Sequence, residues 1–192
     1  MKSDISIIRV LLENRDKELN ILSISKLAKK DYKNTYNVIK RLEKKGILKI
    51  EQFGKSKKIQ LVNQVHPLLF EAEYERRNEL LKNKDFRVML NYFRNMRSKL
   101  YILLLFGSYA KKTNIRHSDI DLMFIIPDAS EEKMEKEIHI IANTIPLKLH
   151  VSVFKETDFK AMKNSREITV GSEAMKHNII LHGIEAYYEL IR

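Results

Sequence analysis

The 192-residue chain contains no cysteine, which excludes a disulfide framework, a thiolate zinc site and a cysteine nucleophile. No apolar run approaches the ~20 residues that a membrane-spanning helix requires, so no membrane association is expected. The amino terminus lacks the apolar core of a secretory signal, and the expected location is cytoplasmic. Glycine and proline are scarce, with 5 and 3 copies, and neither occurs between Leu68 and Arg97. What remains suits one or two domains with an adequate core.

Basic charge is plentiful and unevenly placed. Of the formal net charge of +11, residues 1–64 carry +9, from 16 Lys and Arg against 7 Asp and Glu. Residues 65–192 carry only +2. A concentrated positive charge in the first third points to nucleic acid as its partner, duplex DNA in particular.

Apolar residues at helical spacing in this third include Ile7, Ile8, Leu11 and Leu12, then Ile24, Leu27 and Ala28. A third set, Val38, Ile39 and Leu42, follows Asn34 or Thr35 as the expected cap and ends at Gly46. Residues 47–52 and 58–62 alternate apolar and polar around a basic turn, the pattern of a hairpin. Three helices followed by a basic hairpin resemble a winged helix-turn-helix over residues 1–64. That resemblance makes the third helix the major-groove element, exposing Lys33, Asn34, Thr35, Asn37, Lys40 and Arg41, with Lys55, Lys57 and Lys58 on the wing against phosphates.

Residues 65–97 read as a connector of two helices, about Pro67 to Leu81 and Lys84 or Asp85 to Asn95. Leu68, Leu69, Ala72, Leu80 and Leu81 are available to face a partner, which allows a homodimer or packing on the following domain.

The stretch Leu103 to Ile126 concentrates the chemistry. An apolar strand ends at Gly107-Ser108, and after a basic polar connection Asp119-Ile120-Asp121 leads a second apolar strand. Strand alternation puts Asp119 and Asp121 on one face. Two neighbouring carboxylates repel one another unless a cation holds both ionised, and a hard divalent ion such as Mg2+ prefers oxygen ligands that include phosphates. Backbone N–H groups following Gly107-Ser108 form a natural phosphate cradle.

Gly107, Ser108, Asp119 and Asp121 together resemble the signature of the minimal nucleotidyltransferases of the polymerase-beta superfamily. The resemblance covers residues 98–192 and implies a mixed-sheet α/β domain. Apolar periodicity there gives strands at Tyr101 to Phe106, Ile120 to Ile126, Leu147 to Phe154 and Ile179 to His182. The helices are Glu131 to Thr144 behind Ser130, a short one capped by Thr157 through Met162, Arg166 to Lys176 and Ile184 to Ile191. The resemblance also implies transfer of a nucleoside monophosphate from an NTP such as ATP to a hydroxyl acceptor, with Mg2+ held by Asp119 and Asp121 and the phosphates at Gly107 and Ser108. Lys111 or Lys112 either neutralises triphosphate charge or coats the surface. Lys112 stands where the family often has glycine. The family's third carboxylate aligns with His150, which either accepts a proton as a neutral imidazole or marks a lost ligand.

The whole chain therefore reads as α+β: an amino-terminal winged helix-turn-helix, a helical connector and a carboxy-terminal nucleotidyltransferase-like domain. The alternative function is a transcription regulator or antitoxin whose second domain senses nucleotide or masks a partner toxin. His117, His139, His177 and His182 follow no zinc-ligand spacing.

Overall fold

A computed structural model describes residues 2–53, 56–62, 65–165 and 167–192 of the chain. One compact unit comprises residues 1–75 with Arg192, and the second spans Arg76–Ile191.

In the first unit α1 (Lys2–Glu13) buries Ile5, Ile7, Ile8, Leu11 and Leu12. Helix α2 (Ile21–Leu27) starts ahead of Ile24, the first of its expected apolar residues, because the Asn20 side chain accepts a 2.8 Å bond from the Ser23 backbone N–H. Its buried face is Ile21 and Ile24, whereas Leu27, assigned inward by spacing, is 50% exposed.

Helix α3 (Tyr32–Lys44) is capped by Asp31, whose carboxylate accepts from the Asn34 N–H at 2.7 Å. Asn34 and Thr35 lie inside the helix rather than at its cap. Thr35 is fully buried, with its hydroxyl donating to the Asp31 carbonyl at 2.9 Å, and so is removed from the exposed face on which it was expected. Gly46, at φ +68°, ends the helix as only a residue at ease with positive φ can. Strands β1 (Leu48–Phe53) and β2 (Ser56–Leu61) pair antiparallel, with Ile50 opposite Ile59. Lys55 lies outside the described residues.

Helix α4 (Pro67–Leu80) begins at His66, whose carbonyl accepts from the Leu69 N–H at 2.9 Å and whose imidazole Nδ1 accepts from the Leu68 N–H at 3.1 Å. Leu69 and Ala72 are buried, and Leu80 and Leu81 pack on the core of the second unit. For Leu80 and Leu81 this is the second of the two expected alternatives, packing on the following domain.

The second unit is built on a four-stranded mixed sheet in the order β5-β4-β3-β6. Strands β3 (Ile102–Phe106), β4 (Ile120–Ile126) and β6 (Ile179–His182) are antiparallel neighbours through β3, and β5 (Leu149–Lys155) runs parallel to β4. All of β3 is buried, as is β4 except at Asp121. Such continuous apolar strands need cover on both faces. One face takes α5 (Lys84–Arg94), through Phe86, Met89, Leu90 and Phe93, together with Met134 and Ile138 of α7 (Glu131–Thr144). Against the other lie α8 (Glu156–Asn164), α9 (Val170–Lys176) and α10 (Ile184–Leu190), which bring Phe159, Ala174, Tyr187 and Tyr188 into the core. Between β3 and β4 the chain makes one short helix, α6 (Gly107–Lys111).

Two helix starts differ from the sequence reading. Thr157 does not cap α8, which begins at Glu156; its hydroxyl donates to Asp128 at 2.5 Å instead. Helix α9 begins at Val170, behind a reciprocal Thr169–Ser172 capping box, rather than at Arg166, which lies outside the described residues.

Candidate active site

The site lies where β3 gives way to α6 and where β4 begins. Phe106, the last residue of β3, pairs with Asp121 in the antiparallel register, so Gly107 arrives directly beside the Asp121 side chain. Gly107 has φ +66°, and a Cβ there would stand 2.0 Å from Asp121 Oδ2. Only glycine meets both conditions, the backbone sign and the close approach. Glycine at this position thus lets the turn and the carboxylate share one small volume, with Ser108 following on α6.

Strand β5 supplies the other wall. In the parallel register His150 is the partner of Asp121, and its Nδ1 lies 3.1 Å from Asp121 Oδ1. The imidazole is 67% exposed and the Asp121 side chain 23%, so the pair sits at an open edge with the carboxylate inward. Just ahead of each strand the arrangement repeats. Lys148 Nζ stands 2.6 Å from Asp119 Oδ1, and the Lys148 carbonyl accepts from the Ile120 N–H at 2.9 Å. Asp119 Oδ1 is itself enclosed, and no donor is aligned on it as a hydrogen bond; the ammonium contact is an ion pair by distance alone.

The lysines after Ser108 differ in role and in backbone. Lys111 Nζ reaches Glu173 Oε2 on α9 at 3.2 Å. This bond from Lys111, seconded by Lys176, holds the Glu173 carboxyl below its ordinary range. Lys112 closes α6 at φ +58°, a left-handed conformation that glycine adopts without strain, which accounts physically for glycine being usual there in the family that the motif resembles.

Lys148 and Glu173 lie outside the sequence motif. Lys148 carried a usable signal, because it is two residues before His150 and so on the same side of the strand as the residue aligned to the third carboxylate. Glu173, 62 residues beyond Lys111, carried none.

The donor set suits a divalent cation in part. Two carboxylates at the start of β4, one with an enclosed oxygen lacking an aligned donor, are the oxygen ligands that a hard ion selects. The third position offers imidazole rather than carboxylate. Among the described residues no three His, Asp or Glu side chains are gathered as a ready ligand group.

The remaining sequence-selected residues lie in the first unit. Lys33, Asn34 and Asn37 are exposed on α3, and Lys57 is exposed on β2. Lys40 is bonded to Glu43 at 2.8 Å and Lys58 to Glu18 at 2.7 Å. Arg41 is drawn into an ion pair with Asp4, a residue of α1 that is 4% exposed.

A mixed β-sheet presenting a glycine-serine turn against an aspartate pair at the start of β4 defines a nucleotidyltransferase-type domain. Residues 89–186 match the family model described as polymerase beta, nucleotidyltransferase, and the chain belongs to that family. No curated protein and no solved structure gives a significant match to the chain.

Proposed function

We propose that the second unit transfers a nucleoside monophosphate from an NTP, with ATP the first to test, to a hydroxyl acceptor and releases pyrophosphate. The observation that carries this reading is the packing of Asp121 against Gly107, which joins a phosphate-binding turn to a metal-binding carboxylate. Asp119 and Asp121 are the residues that would hold Mg2+. When bound, that ion supplies charge neutralisation on the triphosphate and on the attacking oxygen. Gly107 and Ser108 receive phosphate oxygens through backbone N–H groups and the Ser108 hydroxyl. Lys111 and Lys112 add positive charge on the same side, with Glu173 fixing the direction of Lys111. His150 accepts the acceptor hydroxyl's proton, and Asp121, 3.1 Å from its Nδ1, orients the ring so that Nε2 is the accepting atom.

The replacement of a carboxylate by His150 favours a second reading, in which the unit binds nucleotide and senses it with little turnover. Incubation with α-labelled ATP, Mg2+ and cell extract separates the two: a labelled acceptor supports transfer, and saturable binding without label supports sensing.

For the first unit the reading is a winged helix-turn-helix that binds duplex DNA and regulates transcription. It is supported by the exposed Lys33, Asn34 and Asn37 on one helix and Lys57 on the hairpin, within a segment of charge +9. Gel-shift titration of the full chain across a salt series tests it.

A further inference from the structure

The two aspartates are not waiting as bare charges. Asp119 immediately precedes β4 and Asp121 is the second residue of that strand, while Lys148 immediately precedes β5 and His150 is its second residue. The parallel register sets Asp121 beside His150, at 3.1 Å, and just ahead of the two strands Lys148 contacts Asp119 at 2.6 Å. A site with a third carboxylate would attract a free divalent ion by charge alone. Here an ammonium already rests on the enclosed carboxylate oxygen, so a free ion must displace a cation and breaks that ion pair without supplying a new anion.

A metal–triphosphate complex changes that balance. Its phosphates offer Lys148 a new anionic partner as the ammonium leaves Asp119, so the exchange conserves ion pairs. Lys148 is suited to such a move, because its side chain is 76% exposed and its four-carbon stem is flexible. Lys111 is less suited, since Glu173 of α9 already engages it.

Resting on the nucleotidyltransferase reading of this site, we infer that Lys148 is a positioning residue that makes the site selective for a preformed divalent metal–nucleoside triphosphate complex over the free ion. It holds Asp119 in the absence of ligand and turns to the phosphates in its presence.

The test uses Mn2+ as probe and the full chain, reading free Mn2+ by electron paramagnetic resonance, with and without α,β-methylene-ATP. Wild type should bind Mn2+ alone weakly and far more tightly with the analogue. Lys148→Met should bind Mn2+ alone about two- to fivefold more tightly, since one solvent-exposed repelling charge is gone. It should also gain much less from the analogue. Lys148→Arg keeps the charge and should behave as wild type, an outcome that a merely structural role for the lysine stem does not require. Equal affinity of wild type and Lys148→Met for Mn2+ alone overturns the inference, as does wild-type binding of Mn2+ that the analogue leaves unchanged. An Asp121→Asn variant that binds Mn2+ with the analogue as well as wild type does would instead overturn the underlying reading of the aspartate site.

Discussion

Gly107 and Asp121 occupy volumes that only a glycine allows to coexist, since a Cβ at residue 107 would stand 2.0 Å from Asp121 Oδ2. This contact couples the turn after β3 to the first turn of β4, so neither can shift without the other. Gly107→Ala should therefore do two things. It should cost about 2 kcal/mol of stability or more, from the positive φ and the collision together. It should also displace the Asp121 carboxylate and weaken Mg2+-dependent nucleotide binding. Ser108→Ala, with no such collision, should leave the melting temperature nearly unchanged. Denaturant unfolding of both variants checks the contrast.

Arg41 belongs to the fold of the first unit as much as to any surface. Its guanidinium is paired with Asp4, which α1 keeps out of water. Arg41→Ala should lower stability by about 1–3 kcal/mol, the range for removing one partner of a largely buried pair discounted for the half-exposed arginine. Lys33→Ala should be nearly neutral in the same unfolding experiment. A loss of DNA retention in Arg41→Ala that disappears when folding is restored at low temperature would assign the residue to structure rather than to base reading.

The exposed basic residues should report on salt. If Lys33 and Lys57 each neutralise a phosphate, changing either to alanine should reduce the slope of log K against log salt by about one. Affinity should fall by similar factors on different duplexes. Slopes equal to wild type would leave these lysines as solvated surface only.

His66 gives a pH dependence with a definite sign. Burial, with Lys45 nearby, lowers its pKa from the ordinary 6.5, so the folded chain favours the neutral ring. The neutral Nδ1 is the atom that accepts from the Leu68 N–H at the start of α4. A depressed folded pKa means that the contribution is fully present above 6.5 and is lost as pH falls through the lowered value. Wild type should lose more melting temperature between pH 7.5 and 5 than His66→Asn, which caps without titrating. Equal losses would remove His66 as a source of the pH dependence.

The legibility of this chain follows the range of the forces involved. Strand β4 at Ile120–Ile126, helix α7 at Glu131–Thr144 and strand β6 at Ile179–His182 coincide with the apolar periodicity, because burial against the sheet is what makes them. Helix starts are less legible where several polar residues compete for the cap. Asp31 outcompetes Asn34 and Thr35, and Thr35 turns its hydroxyl inward to its own helix. Thr157 is diverted to Asp128, 29 residues away, whose carboxyl this hydroxyl holds below its ordinary range. The aspartate pair and the glycine-serine turn were visible as a local pattern. The contacts of Lys148 and His150 with the aspartates were not, because Asp121 and His150, 29 positions apart, come together only when β5 takes its place beside β4.

The most direct measurement is calorimetric titration of the full chain with ATP, with and without Mg2+, for wild type and for Asp119→Asn/Asp121→Asn. The account expects wild-type binding to depend on Mg2+. It expects the double variant to keep its fold by circular dichroism while losing at least about tenfold in Mg2+-dependent affinity, as removal of two charged ligands from a hard ion implies. Unchanged Mg2+-dependent ATP affinity in a folded double variant would contradict it.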